Sequence, residues 1–224
     1  RIGSHVCASS NADALCVECA TESTTAPGGQ WLIGGKTYQR SEPMGSDLNS
    51  CRHLVLTVDY EVFGNGDGDV RRHIIEPTNR MARLCDRYGV PLTVFFEVEE
   101  YLAFRRNTWE FAARLGYDPA RLMWEQAIDL AKRGHDLQLH LHPQWHGARS
   151  VNGKWLLHDE HSTVDDLFET QVEVNQYIAE RKGVLDDILH QARPNRKVSA
   201  YRAGAFSAQP GRKLLSALAE NGIL

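Results

Sequence analysis

The sequence predicts an α/β domain built around a parallel β-sheet and preceded by a shorter segment of different composition. From residue 53 onward, short apolar runs rich in β-branched residues alternate with helical segments. Proline near the start of these helical segments and glycine near their ends mark their limits. Such alternation is typical of sheets whose parallel strands are joined by crossover helices.

The first 50 residues differ from the rest of the chain. They are rich in Ser, Thr, Gly, Ala and Asn, and no helical or strand period persists in them. We therefore predict that residues 1–50 are an appendage or linker, and that residues 51–224 hold the α/β domain.

The order of predicted elements follows from the apolar periodicity and the glycine and proline punctuation. Strands are predicted at residues 53–58, 91–98, 136–141 and 198–201. Helices are predicted at residues 77–88, 109–115, 120–133 and 210–221, with a long helical stretch from residue 162 that breaks near Gly183. A hairpin-like insertion is expected around residues 151–154, and Ile223 and Leu224 resemble the start of another strand.

Composition and charge exclude two classes of partner. Of the 224 residues, 42% are hydrophobic and 24% charged, which is ordinary for a globular protein. The formal net charge of −4 provides no basic field that would recruit nucleic acid. No stretch approaches the ~20 apolar residues of a membrane span. The chain starts without an apolar signal region, so a cytoplasmic location is expected.

The cysteines do not suggest a disulfide framework. An odd number in a chain of this size predicts reduced, unligated thiols. Cys16 and Cys19 form a lone C-x-x-C, and a zinc site completed by Cys7 and His5 is the alternative. The five cysteines are Cys7, Cys16, Cys19, Cys51 and Cys85.

Polar residues gather where three of the predicted strands end. Asp59 and Glu61 follow the first strand, residues 140–146 with their histidines end the third, and Arg202 lies at the end of the fourth. Parallel α/β barrels place their active sites at this end of the strands. We therefore expect these residues to form one site.

The spacing within these sets points to metal chemistry. Residues two apart in a strand face the same side, so Asp59 and Glu61 can converge, as can His140 and His142. Two imidazoles and a carboxylate make a three-ligand catalytic metal site. His142 and His146 are an alternative pair at H-x-x-x-H spacing. A bound metal would activate water and polarise a carbonyl, and the carboxylate that does not bind it can accept a proton.

These motifs resemble, in their order and spacing, those of the NodB-like polysaccharide deacetylases (carbohydrate esterase family 4). Residues 56–61, L-T-V-D-Y-E, are similar to the family's first motif, commonly T-F-D-D. Residues 134–140, G-H-D-L-Q-L-H, are similar to the run that leads into its histidine motif. Residues 201–206, Y-R-A-G-A-F, are similar to its third motif, usually [FY]-R-x-P-Y. The resemblance covers residues 54–224.

The resemblance implies a role for each matching residue. Asp59 would be the general base, Arg202 would pair with it, and the backbone N–H near Ala205 would face the developing oxyanion. Tyr201 and Trp145 are the candidate substrate contacts, and packing in the core is the alternative for Trp145.

The implied metal ligands depart from the family pattern. Glu61 replaces the expected aspartate one position late, and His140 matches the first metal histidine. Gln144 stands where the second histidine is expected, so His142 is the preferred substitute and His146 the reserve. One divalent ion is expected, and N/O ligation favours zinc.

The resemblance further implies a distorted, incomplete (β/α) barrel and metal-dependent removal of an N- or O-acetyl group from a carbohydrate. The family's fourth and fifth motifs, including its general-acid histidine, would follow residue 224, so we expect this chain to be a fragment with little deacetylase activity. Two alternatives remain open. One is a metal-dependent barrel hydrolase of amidohydrolase or phosphoesterase type, and the other is a non-catalytic carbohydrate-binding protein with a degenerate site.

Overall fold

The structure, a computed structural model, describes residues 30–33, 36–39, 54–62, 66–209 and 211–223. The chain divides into two compact units, Arg1–Leu54 and Val55–Leu224. The first contains an antiparallel hairpin of β1 (Gln30–Ile33) and β2 (Lys36–Gln39). Residues 1–50 show no persistent strand period, and so this hairpin was not predicted from the sequence. Four-residue strands are too short to show a persistent period, although their aromatic and β-branched residues favour strands.

The second unit contains one larger sheet, a small hairpin and seven α-helices in its described part. The sheet comprises β3 (Leu56–Tyr60), β4 (Leu92–Glu97), β5 (Asp136–Leu141) and β8 (Tyr201–Ala203), and the hairpin β6 (Arg149–Val151) and β7 (Lys154–Leu156). The helices are α1 (Glu76–Arg87), α2 (Val98–Arg106), α3 (Thr108–Leu115), α4 (Pro119–Arg133), α5 (Val164–Leu167), α6 (Gln171–Ala192) and α7 (Arg212–Glu220). A π-helical turn, Arg71–Ile75, precedes α1.

The larger sheet is parallel throughout and runs in the order β3-β4-β5-β8. The strands follow one another without reversal, whereas a doubly wound sheet reverses its order at a switch point. The sheet curls into a half-barrel of four strands. The predicted α/β class with a parallel sheet is confirmed. Of the expected barrel, the described residues form this four-stranded half.

Strand alternation separates the two faces of the sheet. Tyr60 stacks on Phe96 with ring centroids 5.0 Å apart, and its hydroxyl donates to Gln126 of α4 at 2.7 Å. Asp59 and Glu61 flank Tyr60 and so face the opposite side. Helices α4 and α6 contribute fully buried apolar residues to the core, including Met123, Ala127, Leu130, Ile178 and Leu185.

Helix α2 is a feature that the sequence analysis missed, because the apolar run after Leu92 suggested a strand reaching Val98. The helix begins where the Glu97 side chain accepts hydrogen bonds from the backbone N–H groups of Glu99 and Glu100, at 2.9 and 3.3 Å. A carboxylate that caps a helix in this way stabilises the first turn through both the hydrogen bonds and the helix dipole.

The predicted break near Gly183 is also wrong. Helix α6 is continuous through Gly183, and the break lies between α5 and α6. Each of these helices starts with its own capping box, formed by Thr163 with Asp166 and by Thr170 with Glu173. Capping at the starts of both helices stabilises the break between α5 and α6, whereas one glycine inside a packed helix does not end it.

The fourth strand of the sheet lies later than predicted, at Tyr201–Ala203 instead of residues 198–201. The side-chain oxygen of Gln138 accepts hydrogen bonds from the backbone N–H groups of Ser199 and Ala200, at 2.9 and 2.8 Å. The Gln138 side chain therefore pairs two backbone N–H groups that a strand ladder would otherwise pair, and the ladder begins at Tyr201.

Among the described residues, no helix combines the length and apolar character needed to cross a bilayer. Cys85 is a buried free thiol whose pKa is raised by burial and by the charge of Asp86. Some predictions fall on residues that lie outside the described part of the chain. They concern four cysteines and the last residue of the expected final strand: Cys7, Cys16, Cys19, Cys51 and Leu224.

Candidate metal centre

The candidate site is built on one row of residues across the carboxyl ends of the strands. Glu97 pairs in register with His140, and His140 pairs with Arg202. The β3–β4 ladder ends at Tyr60, one residue before Glu61. Registered residues of neighbouring parallel strands point to the same face, so the register itself brings these side chains together.

Four side chains from three strands converge at this row: Glu61, Glu97, His140 and His142. Glu61 Oε2 lies 3.1 Å from His140 Nε2 and 3.1 Å from His142 Nδ1. Glu97 Oε2 lies 2.9 Å from His142 Nδ1, and one ligand atom from each residue lies within 4.8 Å of all the others. Zinc bonds of ~2.0–2.1 Å in tetrahedral geometry place ligand atoms about 3.3 Å apart. The donor set therefore fits a divalent metal ion.

His140 is oriented as a metal-binding histidine would be. Its Nδ1 lies 2.8 Å from the backbone carbonyl oxygen of Arg202. A carbonyl only accepts, so Nδ1–H donates and, in the neutral ring, the lone pair on Nε2 points into the cluster. Metal-binding imidazoles typically donate their second N–H to a carbonyl or carboxylate, which fixes both tautomer and ring orientation.

The electrostatics of the cluster favour added positive charge. Burial lowers the pKa of His140, but the hydrogen bond to Glu61, the charge of Glu97 and the Arg202 carbonyl together raise the pKa to about 9. Burial likewise opposes protonation of His142, and the hydrogen bond and charge of Glu97 outweigh it, raising that pKa. The carboxylates thus attract protons onto the imidazoles, and a divalent cation would replace those protons.

The ring of His142 packs directly on the backbone of Gly204. A Cβ atom at Gly204 would lie 2.4 Å from Cδ2 and 2.5 Å from Cγ of His142, and 2.8 Å from the carbonyl oxygen of Leu141. No side chain fits in this space without displacing the ring. Gly204 therefore sets the position of His142.

Asp59 and Arg202 meet beside the cluster. The Arg202 guanidinium donates from Nη1 to Asp59 Oδ1 and from Nη2 to Thr57 Oγ1, the latter at 2.9 Å. The guanidinium carbon also lies 3.9 Å from the centre of the Phe95 ring. Asp59 lies within β3 and not after it as expected, and it is outside the four-residue cluster. The arginine of the fourth strand of the sheet therefore fixes the carboxylate of the first.

The turn after β8 has an unusual backbone. Ala205 and Phe206 have φ angles of 50° and 57°, in the left-handed region that non-glycine residues rarely adopt. Such conformations cost of order 1–3 kcal/mol each and cluster at functional sites. Phe206 is 80% exposed on this turn.

His146, the reserve metal ligand, belongs to a different cluster. Its Nδ1 lies 3.2 Å from Oε1 of the fully buried Glu99, to which Arg181 Nε donates at 2.7 Å. Its ring contacts Phe168 and Tyr177 edge-on, with centroids 5.5 and 5.4 Å away. The structure groups His142, and not His146, with His140.

The two candidate substrate contacts lie in different environments. Trp145 is 2% exposed and packs against Trp155 and Phe104, with ring centroids 5.0 and 6.5 Å away. Tyr201 is half-buried, and burial together with the charge of Glu97 raises the pKa of its hydroxyl. Tyr201 pairs in register with Leu139, on the face of the sheet opposite His140, and packs against the hydrophobic core. Trp145 is part of an aromatic core.

Three buried glutamates where β4 ends and α2 begins escaped the sequence analysis: Glu97, Glu99 and Glu100. Both carboxylate oxygens of Glu100 accept from the backbone N–H of Val62, at 3.1 and 3.0 Å, which fixes the chain directly after Glu61. Burial raises the pKa of Glu100 well above its usual value, and the charges of Glu97 and Glu61 add to the rise. Glu97 ends a strand, so the strand-end argument used for the other ligands would have found it.

Comparisons of the chain with models of known protein families, with curated proteins and with solved structures found no match.

Proposed function

We propose that this domain is a metal-dependent hydrolase that removes an acetyl group from a carbohydrate. The observation that supports this most strongly is the convergence of two carboxylates and two imidazoles at the carboxyl ends of a parallel half-barrel, beside an aspartate paired with an arginine. The convergence supports the metal-dependent chemistry. The acetylated carbohydrate rests on the resemblance of three ordered motifs to the NodB-like deacetylases.

The proposed ion is zinc, held by Glu61, His140 and His142. Glu97 Oε2 lies 2.9 Å from the same Nδ1 atom of His142 that faces Glu61, so Glu97 would complete the ligand set. When bound, such an ion activates water and polarises an acyl carbonyl. Glu97 is fully buried and also caps α2, so its carboxylate is held in place by two helical N–H groups.

Asp59 is the proposed proton acceptor. Its side chain is 35% exposed and therefore accessible to water and substrate, while Arg202 pairs with it. Because Arg202 is fixed by Thr57 and by the Phe95 ring, the carboxylate is held in one orientation. A general base in such a position typically contributes ~10²–10⁴-fold to the rate.

The turn after β8 is the proposed site of oxyanion stabilisation. The backbone N–H of Ala205 is the donor that the motif resemblance implies, and the left-handed conformation at Ala205 is a strain that a functional turn would explain. Tyr201, which precedes this turn in β8, is the proposed substrate contact.

Metal content and acetate release test the proposal. The purified chain is loaded with zinc and incubated for long periods with N-acetylglucosamine oligomers and O-acetylated oligosaccharides. We expect slow acetate release that chelation abolishes and that His140→Gln removes together with one bound zinc ion per chain. His190→Gln, which changes an exposed histidine on α6, is the matched control and should alter neither.

Each alternative function has its own result in the same experiments. Phosphate release from monoesters, with two ions in the centre, would favour the amidohydrolase or phosphoesterase type. Oligosaccharide binding with no metal-dependent hydrolysis would favour the non-catalytic protein. Failure of the chain to bind zinc through His140 would contradict both metal-dependent hydrolase functions.

A further inference from the structure

A tight turn after β7 presents two histidines and a glutamate side by side. Its sequence is His158-Asp159-Glu160-His161, and the backbone N–H of His161 donates to the carbonyl oxygen of His158 at 3.1 Å. This hydrogen bond closes a β-turn with histidine at its first and last positions. The two ends of a β-turn lie close together, so both imidazoles project near the glutamate between them.

The ligand atoms of this turn have the separations of a chelate. Glu160 Oε1 lies 3.0 Å from His158 Nδ1 and 4.0 Å from His161 Nε2. One atom from each of the three residues lies within 4.8 Å of the others. Tetrahedral zinc ligands lie about 3.3 Å apart. The observed separations of 3.0 and 4.0 Å bracket that value.

The turn is anchored on both sides, so its conformation is largely set before any ion binds. The backbone N–H of His158 donates to the carbonyl oxygen of Gln144 at 2.9 Å. After the turn, Asp166 accepts from the backbone N–H of Thr163 at 2.8 Å and from the Ser162 hydroxyl at 3.0 Å. A turn that is already held in place loses less conformational entropy when it binds an ion than a mobile segment does.

The orientation of the His158 ring places its Nδ1 atom next to Glu160. Its Nε2 faces Gly147, where an added Cβ atom would lie 3.7 Å away, and its Nδ1 faces Glu160. The side chains of His158, Glu160 and His161 are 39, 63 and 31% exposed, so an ion in solution reaches them directly. An exposed histidine–glutamate pair by itself stabilises a fold very little, so the arrangement has no large structural role.

We propose that His158, Glu160 and His161 form a second metal site, which binds a divalent transition-metal ion such as Zn²⁺ or Ni²⁺ with water completing the coordination. Imidazole with carboxylate suits these ions, whereas Mg²⁺ and Ca²⁺ prefer oxygen ligands alone. The site is separate from the candidate metal centre and does not depend on the proposed hydrolase function. A bound ion would stabilise this turn, whose first residue, His158, is hydrogen-bonded to Gln144 in the segment after His142.

Equilibrium dialysis against buffered Zn²⁺, followed by elemental analysis, tests the site on the full chain. The wild type is compared with His158→Gln/His161→Gln, with His140→Gln for the candidate centre, and with His190→Gln as an exposed-histidine control. The turn variant should lose one bound ion per chain and the control none. Because the replaced side chains are partly exposed and lie on a turn, circular dichroism should show an unchanged fold.

The two sites fail independently in this design. If the candidate centre does not bind zinc, His140→Gln binds as much as the wild type while the turn variant still loses one ion. Equal zinc content in the wild type and the turn variant would overturn the proposal. Displacement of the turn-bound ion by excess Mg²⁺ would also overturn it, because that result indicates an oxygen-type site.

Discussion

Replacing Gly204 with alanine is expected to weaken metal binding, although Gly204 supplies no ligand. The new Cβ atom would lie 2.4 Å from Cδ2 of His142 and 2.8 Å from the carbonyl oxygen of Leu141. The carbonyl belongs to β5 and cannot easily move, because β5 is paired on both sides. The clash must therefore be relieved mainly by movement of the His142 ring or of the turn that contains Gly204.

The size of the effect follows from these distances. Favourable contacts between carbon atoms require ~3.5–4.0 Å, so a contact of 2.4 Å demands about 1 Å of displacement. Metal–ligand distances tolerate only about ±0.2 Å. Disturbing a group that positions a metal ligand typically costs ~10–100-fold in metal affinity. Overpacking also lowers the free energy of unfolding by ~1–3 kcal/mol.

Zinc titration against a competing chromophoric chelator measures the affinity, and urea unfolding of the metal-free protein measures the stability. Gly183→Ala is the matched control, because no heavy atom lies within 4 Å of a Cβ built there, inside α6. That control should keep the wild-type zinc affinity and gain ~0.5–1 kcal/mol of stability. Wild-type zinc affinity in Gly204→Ala would show that His142 is not a ligand or that its position is not set by this contact.

Three further substitutions test other parts of the domain. Asp59→Asn should lower metal-dependent acetate release by ~10²-fold or more while elemental analysis shows unchanged metal; loss of metal would make Asp59 a ligand instead. Arg181→Met removes the cation paired with the fully buried Glu99 and should lower the free energy of unfolding in urea by about 3–5 kcal/mol; no change would mean that this pair does not stabilise the fold. Burial lowers the pKa of His135 from 6.5, although the charge of Asp86 opposes this shift. The unfolded chain therefore binds a proton at His135 more readily than the folded chain does. The free energy of unfolding should fall as the pH drops below about 6.5. His135→Gln should reduce that loss between about pH 7.5 and about pH 5.5, and an equal loss in both proteins would exclude His135 as its source.

Local sequence patterns determined much of the fold. The third predicted strand, residues 136–141, has the bounds observed for β5. The apolar character of a strand and its two-residue period depend only on neighbouring residues, so the common facing of His140 and His142 was predictable. The error in the start of β8 has a non-local cause. The Gln138 side chain accepts hydrogen bonds from backbone N–H groups 61 and 62 residues later in the chain, and no local sequence pattern reveals such a contact.

The sequence by itself determined that carboxylates and imidazoles stand at the ends of parallel strands. Only the tertiary structure decided which of them meet. The register of β4 against β5 places Glu97 opposite His140, and the turn after β8 places Gly204 under the ring of His142. Parallel strands are joined through long crossovers, so their register is set by packing of the whole sheet and not by any short stretch of chain. The candidate ligand set is therefore a property of that packing, whereas the residue types available to it are a property of the sequence.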